Sequence, residues 1–165
     1  MTGIDAQSEK DRRDAVLARL TERTPYNRFI GAEFERMGDE LTARLRYSRK
    51  LIGNPMIPAL HGGVTGAFLE ITAITQLAWD AAWAQLEAGG DGAAALDLGV
   101  FPQPPKTIDF TIDYLRSGRA RDAYARAEVR KAGRRVANVR VEAWQDARDR
   151  PIAAAHGHFL MPEET

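Results

Sequence analysis

The sequence predicts an α+β fold in which one curved antiparallel sheet wraps a long apolar helix. The central observation is the stretch from Leu51 to Gln85. In that stretch Glu70 is the only carboxylate before Asp80, and no Lys or Arg occurs. A helix that is apolar on nearly every side belongs in the interior of a domain. Strand-like alternation lies on both sides of this stretch, so a sheet can cover the helix.

An amphipathic helix is predicted over residues 6–23. Its apolar side holds Ala15, Val16, Leu17 and Leu20. The helix should end at Thr24, because Pro25 disfavours helical backbone in the residue before it. We therefore expect a helical extension over residues 1–26, packed on the outside of a single domain over residues 27–165.

A β-hairpin is predicted within residues 27–48. Apolar and polar side chains alternate along its second strand with the period of two that strands show. The alternation runs through Leu41, Thr42, Ala43, Arg44, Leu45, Arg46, Tyr47 and Ser48. Phe29–Met37 is the expected partner strand, with a turn at Gly38-Asp39. Residues 49–60 are expected to form a loop.

The long helix is predicted from about Gly63 to Glu87. The glycine-containing segment EAGGDGAAAL is expected to stop it, and FPQPP then forms a stiff extended connector. The rest of the chain alternates as strands do, with turns between them. The predicted strands cover residues 107–114, 123–130, 135–144 and 151–161. A sheet of this kind has exposed edges, so we expect two copies to pair edge to edge as a homodimer.

The composition excludes several classes of protein. The chain has 165 residues with 23 basic and 23 acidic side chains, and this balance does not favour nucleic-acid binding. Cysteine is absent, which excludes disulfides, thiolate catalysis and thiolate metal ligands. The N-terminus lacks the apolar core of a signal peptide, and no segment is apolar enough to span a membrane. We therefore expect a cytoplasmic protein without a membrane or nucleic-acid partner.

Glu70 is the first candidate for chemistry. An unpaired carboxylate inside a domain costs several kcal/mol, on the order used for desolvated ions. No cation lies one helical turn away from it on either side. Either the helix has a wet side at this point, or a group from another element meets the carboxylate. A catalytic carboxylate and one that faces solvent or a subunit interface are both consistent with this pattern.

The second candidate is the sequence His61-Gly62-Gly63 at the start of the long helix. Glycines expose backbone N–H groups there, and the helix dipole helps these donors to hold a developing negative charge. The alternative is a turn that needs glycine for its shape. Because the helix rises about 1.5 Å per residue, Gly62 and Glu70 are roughly 12 Å apart. One substrate carbonyl cannot reach both, so a shared reaction requires Gly62 and Glu70 from different subunits.

Other polar residues are weaker candidates. His156 and His158 form an i, i+2 pair on the last strand without a third ligand, so we favour a polar strand face and predict no metal site. Basic residues cluster in two turns of the C-terminal region. These turns are either ordinary solvated turns or a binding site for a phosphate group. They are Arg116, Arg119, Arg121, Lys131, Arg134 and Arg135.

The chain resembles the PaaI-like acyl-CoA thioesterases of the hotdog-fold superfamily over about residues 27–162. The resemblance rests on Asn54 ahead of His61-Gly62-Gly63, Glu70 nine residues after the histidine, TIDFTIDYLR from Thr107, GRR from Gly133, and an alanine-rich last strand. It implies a single hotdog domain, dimers that often pair into tetramers, and hydrolysis of acyl-CoA without a cofactor, coenzyme A being part of the substrate.

The resemblance also implies roles for individual residues. Glu70 would be the general base or nucleophile, and the Gly62 N–H would polarise the thioester carbonyl from the opposite subunit. Asn54 and His61 would position substrate or water, and Thr107 would help to orient the attack. Contacts to the rest of the substrate are expected from Gly63, Arg116 and Arg134.

Two departures from the family pattern matter. The family usually has Asp where this chain has Glu70, and the longer side chain favours activation of water over direct attack. Asn54 lies seven residues before His61 where six are common, so a bulged loop could restore it to the site, or it could cap a turn. Alternative functions are a non-catalytic acyl-CoA-binding protein and a hydratase or dehydratase that uses His61 with Glu70. Candidates for an acyl pocket are Phe68, Leu69, Ile71, Trp79 and Phe101.

Overall fold

The computed structural model describes residues 3–163 as a six-stranded antiparallel sheet around one long helix. The helices are α1 (Gly3–Glu22), α2 (Pro25–Ile30), α3 (Gly62–Ala88) and α4 (Gly90–Asp97). The strands are β1 (Ala32–Met37), β2 (Glu40–Leu45), β3 (Ile52–Asn54), β4 (Ala59–Leu60), β5 (Lys106–Tyr114), β6 (Ala123–Ala132), β7 (Val136–Trp144) and β8 (Ala153–Leu160). A single 3₁₀ turn, Arg49–Leu51, precedes β3.

Helix α3 packs against one face of the sheet, whose strands run in the order β1-β2-β6-β7-β8-β5. Small residues dominate the inward positions of the central strands and let the helix approach closely. They include Ala43, Ala123, Ala125, Ala137, Ala143, Ala153 and Ala155, all buried. Phe68 and Leu69 of α3 are fully buried against them. The expected fold class, with a long buried helix, is therefore confirmed.

Strand β5 forms one edge of the sheet and contains a bulge. Lys106 and Thr107 pair with Leu160 and Phe159 of β8, but Asp109 pairs with His158, so Ile108 is an extra residue. A bulge reverses the alternation of side chains that follow it. Thr107 therefore points to the same side as buried Phe159, toward α3, although strict alternation would group it with Asp109.

Two helices occupy regions where the sequence indicated other structure. The partner strand was expected from Phe29, but Phe29 lies in α2, where Pro25 favours the helix start and Gly31 ends the helix in the left-handed region with φ 80°. Gly89 ends α3 as expected, with φ 71°, yet a second helix, α4, starts immediately after it. The alanine-rich sequence of α4 favours helix, and its apolar side packs against α1 and α3.

The loop expected over residues 49–60 is also more ordered than the sequence indicated. It holds the 3₁₀ turn and the short ribbon of β3 and β4, which form a separate two-stranded sheet. A Cβ on Gly53 would lie 2.8 Å from the Cα of His61, so glycine lets the ribbon pass directly beside the start of α3. The two prolines of this segment gave no sign of strand pairing.

Helix α1 packs on α3 and α4. Val16 and Leu17 are buried in an apolar cluster with Trp79, although Ala15, from the same predicted side, is exposed. Arg12 donates hydrogen bonds of 3.0 and 2.8 Å to both carboxylate oxygens of Asp97. These hydrogen bonds lower the pKa of Asp97 below its usual value. None of the helices within residues 3–163 combines the length and hydrophobicity that a membrane crossing requires.

The close contact between β5 and β8 gives a stability prediction. A Cβ on Gly157 would lie 2.5 Å from the carbonyl oxygen of Asp109, which is backbone and cannot rotate away. Gly157→Ala should therefore lower the free energy of unfolding by about 1–3 kcal/mol in urea denaturation. Gly92→Ala is the matched control, since its Cβ would meet only the Gln85 side chain at 3.7 Å. Equal stability of the two variants would contradict the tight β5–β8 contact.

Candidate active site

The side chains of Glu70 and Thr107 form the first part of the site. The Thr107 hydroxyl donates a 2.6 Å hydrogen bond to Oε1 of Glu70. Both side chains are half-buried, so Glu70 lies on a side of α3 that the sheet does not cover completely. The sequence left two alternatives for this carboxylate, a wet side of the helix or a group from another element. The half-buried Glu70 has both, since Thr107 of β5 meets it. Within residues 3–163 no hydrogen bond reaches the other carboxylate oxygen, Oε2, so this oxygen can contact water or substrate.

The start of α3 forms the second part. His61 is the N-cap residue, and its Nδ1 accepts a 2.9 Å hydrogen bond from the N–H of Gly63. This contact requires Nδ1 without a proton. The Gly63 N–H is thus already used, which leaves the Gly62 N–H as the donor at the first position of the helix. Within residues 3–163 no acceptor bonds to it.

Tyr114, at the far end of β5, is a site residue that the sequence did not single out. Its hydroxyl donates a 2.7 Å hydrogen bond to the carbonyl oxygen of Gly62 and so holds the first turn of α3 against the strand. The ring lies 3.5 Å from where a Cβ on Gly62 would be. Tyr114 belongs to the TIDFTIDYLR motif that starts at Thr107. Sequence spacing alone does not connect this tyrosine with a glycine on another element.

Asn54 lies at the end of β3 and caps a turn. Its Oδ1 accepts hydrogen bonds from the backbone N–H groups of Met56 and Ile57, at 3.0 and 3.4 Å. This arrangement is an Asx turn, one of the two alternatives that its spacing from His61 left open. A contact between Asn54 and substrate stays a prediction.

Arg116 and Arg134, both predicted to contact substrate, lie at opposite ends of the sheet. Arg116 follows the end of β5 and lines a groove of about 360 Å³ next to the loop before α3. Three other arginines line the same groove, namely Arg119, Arg121 and Arg150. Arg134 lies in the β6–β7 turn, beside the end of β8 that pairs with the start of β5. One chain therefore does not bring Arg116 and Arg134 together.

Comparison with known proteins identifies the family. A family model described as the Thioesterase superfamily matches residues 58–152, which include α3, β5, β6 and β7. The chain belongs to the thioesterase superfamily.

Several known proteins are similar to this chain over most of its length. The medium/long-chain acyl-CoA thioesterase YigI of Escherichia coli K12 is 32% identical over 120 residues, which are 72% of this chain and 74% of that protein. A crystal structure of a Chromobacterium violaceum protein is 33% identical, with a TM-score of 0.63, over 96% of this chain and 99% of that one. A Bacillus halodurans protein solved with CoA shares the fold, with a TM-score of 0.64 and 18% identity over 100% of this chain and 98% of that one.

These findings confirm the predicted hotdog fold and the predicted enzyme class, a thioester hydrolase. The superfamily match also covers the elements that carry Glu70, Gly62, Thr107 and Tyr114.

The histidines of β8 lie on the outer face of this thioesterase-superfamily sheet, away from α3. His158 Nδ1 lies 2.9 Å from Oδ2 of Asp109, and its Nε2 lies 3.0 Å from Nδ2 of Asn138. His156 is exposed on the same face. Across residues 3–163 no three His, Asp or Glu side chains are grouped as metal ligands would be.

Proposed function

We propose that this protein is a PaaI-like acyl-CoA thioesterase that hydrolyses a CoA thioester to a free acid and CoA without a cofactor. Membership of the thioesterase superfamily supports this proposal, as does the similarity to YigI. A bound CoA in the similarly folded Bacillus halodurans protein is consistent with it. The main supporting observation is the placement of two groups of residues along strand β5, Glu70 with Thr107 and Gly62 with Tyr114. Each group is called a half-site here.

The half-sites lie at opposite ends of the strand. Thr107 holds Glu70 at the start of β5, and Tyr114 holds Gly62 at its end. Seven residues of extended strand separate them by roughly 23 Å. Along α3, Gly62 and Glu70 are about 12 Å apart. One thioester carbonyl must lie about 3 Å from both the base and the oxyanion donor, which a single chain does not allow.

A two-fold dimer through β5 removes this obstacle. β5 is an edge strand. In an antiparallel pair of β5 strands centred on Thr111, residue 107 lies opposite residue 114 of the partner, because Ile108 is the extra residue of the bulge. The pairing also covers Ile108 and Tyr114, which are 56% and 57% exposed in the single chain. Each dimer would then contain two sites. Association of such dimers into tetramers is the further assembly that the resemblance predicts.

In each site the chemistry follows from the groups present. Glu70, oriented by Thr107, accepts a proton from a water molecule whose oxygen attacks the thioester carbonyl carbon. The oxygen of the tetrahedral intermediate is held by the Gly62 N–H of the partner subunit and by the positive end of its α3 dipole. When the intermediate collapses, the C–S bond breaks and the proton on Glu70 passes to the sulfur. The products are the carboxylic acid and CoA.

The groove that holds Arg116 is the proposed seat for the CoA phosphates. It adjoins the loop that leads into His61 and Gly62, so a nucleotide bound there would extend away from the oxyanion donor. Arg121 is paired with Asp146, which leaves Arg116, Arg119 and Arg150 to meet phosphate oxygens. In the β5-paired dimer, the end of the sheet that carries Arg134 lies beside the partner's Arg116. The two predicted contacts could then serve one substrate.

The role of Glu70 is tested by removing its charge. Glu70→Gln should lower kcat for acyl-CoA hydrolysis about 10²–10⁴-fold, because the amide cannot accept the proton. Thr107→Val should cause a smaller loss, since it removes only the hydrogen bond that orients the carboxylate. Glu35→Gln, a matched change at an exposed position of β1, should retain wild-type kcat. Hydrolysis is followed as release of the CoA thiol.

Other outcomes would identify other functions. Glu70→Gln as active as wild type would contradict the catalytic role. Tight binding of acyl-CoA by wild type without turnover would indicate a binding protein. Hydration of enoyl-CoA in place of hydrolysis would indicate a hydratase.

The oxyanion donor is tested at Gly62 with two substitutions that differ in one N–H group. Gly62→Pro removes the donor but fits the position, since proline is accepted at the first helical residue and His61 already has extended backbone with φ −64° and ψ 133°. It should lower kcat about 10²–10³-fold. Gly62→Ala keeps the N–H and makes ordinary contact with Tyr114 at 3.5 Å, so its kcat should stay near wild type. Equal losses in both variants would contradict the oxyanion assignment.

A further inference from the structure

An apolar cavity of about 140 Å³ lies between the end of α1, the middle of α3, the proline-rich connector and the end of the chain after β8. Nine of its twelve lining residues are apolar, and the other three are Arg23, Thr24 and Gln103. The principal lining residues are Leu20, Leu77, Ala78, Ala81, Pro105 and Met161. Of all the residues around the cavity only Arg23 is charged, and its guanidinium lies 5.1 Å from the ring centroid of Phe101. The cavity therefore suits a hydrocarbon group.

Two features connect this cavity to Glu70. Residues 70, 74, 77 and 81 of α3 are spaced by four, three and four, so they form one stripe along the helix. The stripe starts at the carboxylate, continues over Ile74 and reaches the cavity at Leu77 and Ala81. The connector makes the second link, because Pro105 of the cavity wall lies two residues before Thr107.

We infer that this cavity binds the distal end of a straight-chain acyl group whose thioester carbonyl lies at Glu70. This inference rests on the proposed thioesterase function and specifies its substrate class. The α1 helix then has a role in recognition, since Leu20 forms one wall of the cavity.

The distance from Glu70 to the cavity predicts the length of the acyl group. Leu77 and Ala81 lie about 10 and 16 Å along the helix from Glu70. An extended chain advances roughly 1.2 Å per bond, so an acyl chain needs about eight carbons to reach the cavity. A dry apolar cavity of similar size holds benzene, about six carbons. Chains of about 10 to 14 carbons should therefore fill the cavity, and a four-carbon chain should not enter it.

The wall formed by α1 is held in place before any ligand binds. Arg12 bonds to Asp97 of α4, and Arg13 bonds to Glu87 of α3. Val16 and Leu17 are 1% and 4% exposed, in the same apolar cluster as Trp79. A preformed apolar cavity costs little ordering of the protein when a ligand enters.

A cavity-filling substitution tests the inference. Ala81→Phe should block the cavity, and Ala84→Phe, the same change at an exposed position of α3 outside the lining, is its control. The kcat/KM for dodecanoyl-CoA should fall tenfold or more in Ala81→Phe, because each methylene excluded from the cavity is worth about fourfold. The kcat/KM for butyryl-CoA should stay within about twofold. Leu20→Trp fills the cavity from α1 and should give the same pattern.

Equal losses on butyryl-CoA and dodecanoyl-CoA would overturn the inference, as would the same shift in Ala84→Phe. Binding of dodecanoate, measured by calorimetry, tests the cavity without turnover. Wild type should bind dodecanoate at least tenfold more tightly than Ala81→Phe does, and no difference would overturn the inference. If wild type hydrolyses no acyl-CoA but binds dodecanoate in this way, the thioesterase proposal fails and the cavity assignment stands.

Discussion

Strand β5 is hydrogen-bonded to helix α3 at both of its ends, and the candidate groups depend on these two contacts for their position. At one end Thr107 orients Glu70, and at the other Tyr114 holds the carbonyl of Gly62. Because β5 is also the edge of the sheet, the strand that positions the groups is the strand that a second subunit can pair with. The proposed dimer and the proposed active site therefore both depend on β5.

The general plan of the fold could be predicted from the sequence. The apolar stretch around Glu70 and the alternating strands after it specify a helix buried by an antiparallel sheet, because both patterns are local. The helix spacing between Gly62 and Glu70 also predicts that these two groups do not meet within one chain. Helices α2 and α4 were missed because each depends on packing against other elements. Short segments of this kind have weak patterns of their own.

The details of the candidate site depend on side-chain contacts that cannot be predicted from the spacing of residues in the sequence. The bulge at Ile108 turns Thr107 toward Glu70. The sequence does not reveal the bulge, because polar and apolar residues alternate regularly from Thr107 to Tyr114. The N–H of Gly63 bonds to His61, which follows only from the rotamer of the histidine. The expected contact between Gly63 and substrate stays a prediction. The acyl-pocket candidates Phe68 and Trp79 are core residues, at 0% and 1% exposure. The cavity instead uses smaller side chains and prolines from segments far apart in the chain.

The central claim is that each active site combines Glu70 of one subunit with Gly62 of the other. The most direct test is to co-express Glu70→Gln and Gly62→Pro chains with different affinity tags and to purify the dimers that carry both. In such a dimer one site has both defects and the other has neither, so it should hydrolyse acyl-CoA at about half the wild-type rate. Each parent dimer should be nearly inactive. Mixed dimers no more active than the parents would contradict the shared site.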